Sequence, residues 1–110
     1  MKKVYLANAL SLQMLPTEQA TDLRIWPMTV EAVKEFVRDG IKFESAIGHA
    51  DTAAVVSGIL GQSVPTQRIS ISLKPGDILV VAQLVGGRLP EGATTLPDGY
   101  DIKFFGVKIK

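Results

Sequence analysis

The chain has 110 residues, 46% apolar and 21% charged, with a formal net charge of +1, which reads as one soluble globular domain able to bury roughly two-thirds of its extended surface. The near-neutral balance excludes a global basic field for gripping duplex nucleic acid, so an anionic ligand must be held by a few placed residues. With no cysteine and one histidine, disulfides, thiolate zinc sites, a cysteine nucleophile and a His-rich metal centre within one chain are excluded. No apolar run approaches a membrane span, and Met1-Lys2-Lys3 leads into a short strand-like run rather than a signal peptide. A cytoplasmic protein with no membrane partner is expected.

Lys3 to Leu10 is apolar on both alternating sets, as in a strand covered on two faces. Asn8 and Ser11 fall at its end, where polar side chains either reach into a site or serve the turn into Leu12–Pro16. Arg24–Met28 reads as a short strand that Pro27, lacking a ladder donor, confines to an edge or a strand end. Thr29 suits a helix cap, Glu31 the first turn, and Val30, Val33, Phe36 and Val37 the buried stripe, with Gly40 as the stop. Ile41–Glu44 is an extended connection.

Ser45-Ala46-Ile47-Gly48-His49-Ala50-Asp51-Thr52 then opens a second helix. Asp51 or Thr52 can cap it, Gly61 can end it, and Val55, Val56, Ile59 and Leu60 share one face. His49 is thereby held at the rim of a helix N-terminus, where unpaired N–H donors attract anions such as phosphate.

After a loop containing Pro65, Arg68–Leu73 alternates strictly, and Lys74-Pro75-Gly76-Asp77 supplies turn chemistry. The expectation is an antiparallel hairpin with Ile78–Val85, the most apolar strand and the one for the sheet interior. Gln83 is the polar exception within that strand, and if buried it must brace backbone or face a polar cavity. The loop from Gly86 to about Asp101 is long for so small a domain, and long ordered loops are often functional. Ile102–Ile109 closes the chain with Phe105, Val107 and Ile109 on one face and Ile102 and Phe104 on the other. The whole predicts a single α/β (α+β) domain, a mixed sheet of about five strands flanked by helices.

Nucleotide-binding glycine motifs, HExxH and paired-cysteine spacings are all missing from the sequence, and the carboxylates are scattered. What remains is a His, an Arg, a Glu, a Ser and an Asn at the ends of predicted elements. Such a set suits metal-free cleavage of an RNA phosphodiester. The neighbouring 2′-hydroxyl attacks in line, fixed donors stabilise the phosphorane, and histidine, which titrates near neutrality, protonates the departing 5′ oxygen.

Val4-Tyr5-Leu6-Ala7-Asn8-Ala9-Leu10-Ser11, Ala46-Ile47-Gly48-His49 with Thr52, and Arg88-Leu89-Pro90-Glu91-Gly92 stand in an order and spacing that resembles the viral type III anti-CRISPR ring nuclease family. The resemblance implies a cofactor-free, metal-free homodimer that takes cyclic tetra-adenylate, the second messenger of type III CRISPR defence. Relatives cut this ring to linear di-adenylates ending in a cyclic phosphate and so silence the effectors it activates, in the host cytoplasm where the gene is viral. By the same resemblance His49 matches the general acid and Glu91 its acidic partner. Arg88 matches the arginine on the ligand phosphates and Ser11 the serine at the first strand's end, with Gln83 as a looser match. The matched segments add Asn8, Gly48 and Thr52 as substrate contacts. Asp51 departs from members that carry serine there, and either contacts ligand or caps the helix. A C2 dimer would present one His49 to each of two opposite linkages of a two-fold ring. Two other readings are compatible with the sequence: a non-catalytic dimer that sequesters a cyclic nucleotide or binds nucleic acid, and a structural protein in which His49 has no task.

Overall fold

Apolar strand segments from both halves of the chain build one five-stranded mixed sheet in the order β2-β5-β4-β1-β3. The computed structural model describes residues 3–38 and 42–110. Its strands are β1 (Val4–Ala7), β2 (Leu23–Met28), β3 (Glu44–Ser45), β4 (Ile78–Val85) and β5 (Asp101–Ile109), and its helices are α1 (Val30–Val37) and α2 (Ala50–Leu60). β1 runs parallel to both β3 and β4, whereas β5 is antiparallel to β4 and to β2. The mixed α+β architecture expected from the sequence is the one observed.

Strand period two decides what each face buries. Leu6, Ile78, Val80, Ala82, Ile102 and Phe104 point to the helix side, where they meet Val33 and Val37 of α1 and Val55, Val56 and Leu60 of α2. Tyr5, Ala7, Leu79, Val81 and Val107 point to the other side, which neither α1 nor α2 covers. There Ile71 and Leu73 are buried against them, with Leu10, Met14, Leu15 and Phe105 partly so. β2 is the edge strand that Pro27 demands, and β4 is central. Thr29 caps α1, its hydroxyl accepting from the Ala32 amide at 3.1 Å. The expected stop at Gly40 and the connection at Ile41 lie outside the described residues.

Three expectations are corrected. Arg68–Leu73 is not a sheet strand and forms no hairpin with β4. Both edges of β4 are already taken by β1 and β5, so the segment has no ladder to join and crosses the helix-free face instead. Its alternation is real, because Ile71 and Leu73 are buried, but the contact is side-chain covering rather than pairing. Lys74–Asp77 does turn, with the Asp77 amide donating to the Lys74 carbonyl at 3.0 Å. The Asp77 carboxylate accepts from the amides of Lys3 and Lys74, each at 3.1 Å, joining the starts of β1 and β4.

The second correction concerns α2, whose N-cap is His49 rather than Asp51 or Thr52, with no side-chain capping bond. The third is Gln83. It is exposed, and its amide donates only to the Leu84 carbonyl at 3.2 Å. β4 outruns the covering of the helix-free face there, so the last residue of the strand on that face, Val85, is also 42% exposed.

Candidate functional site

The carboxyl ends of β1, β3 and β4 lie at one edge of the sheet, the side on which open α/β sheets bind ligands. Three chain segments leave from that edge. Asn8 follows β1 directly, Ser45 of β3 leads through four residues to the start of α2, and β4 runs into the 86–100 loop. They enclose a cleft of about 520 Å³ lined by Asn8, His49, Asp51, Thr52, Leu84, Arg88, Leu89 and Glu91.

His49 sits at the cleft because it is the residue at which extended chain becomes helix, with φ −118 and ψ 126. Its carbonyl accepts the first intrahelical bond, from the Ala53 amide at 3.0 Å, and its imidazole is left exposed. The positive end of the α2 dipole therefore opens beside the imidazole, where it favours an anion. Thr52 lies in the first turn and is buried. Gly48 is not among the cleft residues. Arg68 lies across it, its Nε donating to the Gly48 carbonyl at 3.1 Å, and a Cβ on Gly48 would come within 2.9 Å of the Arg68 side chain. The sequence reading missed this second guanidinium next to the His49 turn. Nothing in the residue spacing marks Arg68, which reaches the turn from 20 positions away.

Arg88 and Glu91 are carried by the loop, which is fixed at three levels. At its neck, Gly86 and Gly87 adopt φ +118 and +122, a region open to glycine. Tyr100 packs on them so closely that a Cβ on Gly86 would meet the Tyr100 Cα at 2.9 Å. The Tyr100 hydroxyl donates to the Arg88 carbonyl at 3.0 Å. Along its floor, Leu89 and Leu96 pack against the helix-side core. At its tip, the Gly92 amide donates to the Asp51 carboxylate at 3.1 Å.

Among the described residues the one salt bridge is Arg38–Glu35, remote from the cleft. Arg88 and Glu91 thus form no ion pair with each other, and His49 and Glu91 form none either. Within the described residues no hydrogen bond engages the side chains of Asn8, His49, Thr52, Arg88 or Glu91, whereas Asp51 is engaged. Unpaired polar groups converging on one cavity are what a ligand site requires. Ser11 and Gln83 are not brought to this cleft within one chain. The Ser11 hydroxyl accepts from the Gln13 amide at 3.3 Å, opening the 3₁₀ turn Leu12–Met14. Gln83 projects from the sheet face opposite Leu84, which itself lines the cleft. Among the described residues, no three His, Asp or Glu side chains converge as around a metal ion, and no helix is long and apolar enough to cross a membrane.

The arrangement has relatives. Uncharacterized protein 26 of Sulfolobus islandicus filamentous virus (isolate Iceland/Hveragerdi) is 29% identical over 109 residues, covering 94% of this chain and 91% of that protein. Among solved structures, B116 of Sulfolobus turreted icosahedral virus (STIV) superposes with a TM-score of 0.77 at 27% identity, over 96% of this chain and 98% of B116. Both are viral proteins, and the likeness in fold to B116 extends over nearly the whole of both chains. The family model described as STIV B116-like matches residues 4–105, from the first residue of β1 into the middle of β5 and through all the cleft residues, and the chain belongs to that family.

Proposed function

We propose that this protein is a metal-independent ring nuclease that binds cyclic tetra-adenylate as a homodimer and cleaves it to linear di-adenylates, ending type III CRISPR signalling. The observation that carries the reading is convergence. Asn8, His49 with Thr52, and Arg88 with Glu91 come from three segments far apart in the chain, and all line one cleft. Those are the segments on which the sequence resembles ring nucleases.

The chemistry assigned to each group follows from its position. A ring phosphate sits at the N-terminus of α2, where free backbone N–H groups and the Arg88 guanidinium supply donors to its non-bridging oxygens. The 2′ oxygen of the adjoining ribose attacks phosphorus in line, and its proton leaves to solvent. As the P–O5′ bond breaks, imidazolium at His49 gives its proton to the departing oxygen, leaving a 2′,3′-cyclic phosphate and a 5′-hydroxyl. Glu91, on the loop across the cleft from His49, orients the imidazole toward the ring. A second protomer supplies the same groups to the opposite linkage, which accounts for two cuts by a chain with one histidine.

Incubation with cyclic tetra-adenylate in excess chelator, followed by product analysis, tests this directly. Cleavage is expected to persist in chelator, and His49→Ala should lower the single-turnover rate about 10²–10⁴-fold while ring binding survives. Wild-type rates in His49→Ala, or abolition by chelator, would refute the chemistry. A cleaving species that stays monomeric in sedimentation would refute the shared ring.

A further inference from the structure

Among the described residues, Asp51 is the one polar side chain of the cleft engaged within the protein. A carboxylate beside an anion site opposes ligand binding, so its place in the cleft calls for another task. Its Oδ1 accepts from the Gly92 amide at 3.1 Å, across 41 positions of sequence. The bond clamps the peptide that joins Glu91 to Gly92. Gly92 holds φ +79, a conformation that glycine adopts without strain, so the clamped amide can face α2. Asp51 lies in the first turn of the same helix whose N-cap is His49. The clamp therefore ties Glu91 to the element that carries His49. Arg88 is secured separately, by the Tyr100 hydroxyl on its carbonyl. The loop thus has two pins, one for each functional side chain.

We infer that Asp51 is a positioning residue that sets Glu91 beside His49, an inference that rests on the ring-nuclease reading for the roles of those two residues but not for the contact itself. Loss of the carboxylate frees the loop tip and leaves the neck in place, so the chemical step suffers more than ligand binding. Loss of the Tyr100 hydroxyl acts the other way, loosening Arg88 and weakening binding first. An Asp51 that served only the α2 dipole would produce neither pattern.

The experiment compares wild type, Asp51→Ala, Asp51→Asn and Tyr100→Phe by amide hydrogen exchange, by equilibrium binding of cyclic tetra-adenylate and by single-turnover cleavage. Asp51→Ala is expected to lose protection at Gly92 and to slow cleavage about 10- to 100-fold, with binding close to wild type. Asp51→Asn keeps an acceptor oxygen at the same place and should recover most of both. Unchanged exchange at Gly92 in Asp51→Ala overturns the inference, and so does lost protection with an unchanged rate. A wild type that leaves the ring intact overturns the nuclease reading and with it the catalytic half of this inference, whereas exchange at Gly92 still decides the pin.

Discussion

Two stretches without regular structure flank β4, and they are held in opposite ways. Residues 62–77 bury Val64, Ile71, Leu73 and Asp77 and are stitched to the body through backbone. The Ser57 hydroxyl accepts from the Val64 amide at 2.9 Å, the Gln67 amide reaches the Ile47 carbonyl at 2.9 Å, and the Leu73 amide reaches the Met14 carbonyl at 2.8 Å. The 86–100 loop contains no fully buried residue. It rests on half-buried Leu89 and Leu96 and on two single-side-chain pins. The first stretch is a sheet cover that lacks a ladder, and its residues contribute to stability. The second is a lightly held platform, and among the described residues its Arg88 and Glu91 side chains have no hydrogen-bond or ion-pair partner. Few buried contacts and exposed hydrogen bonds are also what place a segment at the low-stability, functional end of a fold.

If this division holds, substitutions in the two stretches move different observables. The largest effect on stability belongs to the cover. Leu73 is 3% exposed against the helix-free face, so Leu73→Ala should cost about 2–5 kcal/mol in urea unfolding while the folded fraction keeps whatever ring cleavage the unsubstituted protein has. A loss below about 1 kcal/mol would mean that the strip is not packed as described. Next comes Arg88→Ala on the platform. If its guanidinium donates to phosphate as proposed, the substitution weakens binding of cyclic tetra-adenylate about 10- to 100-fold, with the melting temperature nearly unmoved because the side chain is exposed and has no ion-pair partner among the described residues. Normal binding would reduce Arg88 to a loop cation and erase the distinction between the stretches.

The sequence was a better guide to the platform than to the cover, for a physical reason. His49 stands where extended chain gives way to helix and a polar residue has no packing role to explain it, whereas Arg88 and Glu91 are singled out by the resemblance of their segment to the ring nucleases. Both helices, the edge position of β2 and the two faces of β5 follow from periodicity and from Pro27 in the same way. Alternation in Arg68–Leu73, by contrast, reports one buried face and says nothing about who satisfies the backbone. A sheet strand and a covering strip share that pattern, and only the occupancy of both β4 edges separates them. Gln83 fails similarly, since an apolar run does not reveal where its cover stops. The roles of Gly48 and Asp51 depend on contacts with Arg68 and with the Gly92 amide, 20 and 41 positions away. Contacts to backbone atoms at such separations leave no trace in residue type.

The smallest effect sharpens the comparison most, because it lies inside the one segment that the alternation treats as uniform. Ile69, Ile71 and Leu73 are equivalent by period, yet Ile69 is 38% exposed and Ile71 only 4%. The cause is the route of the chain. Gln67 and Arg68 are still hydrogen-bonded to Ile47 and Gly48, just beyond the short edge strand β3, so the segment is rounding the sheet edge at Ile69 and lies beneath the sheet only from Ile71 onward. Ile69→Ala should therefore cost about 1 kcal/mol, the value of a part-buried aliphatic side chain, against about 2–5 kcal/mol for Ile71→Ala. A strand paired along its whole length would bury both alike. Equal costs at the two positions, measured by denaturant unfolding with unchanged m-values, would restore the paired-strand picture and remove the distinction between a cover and a platform.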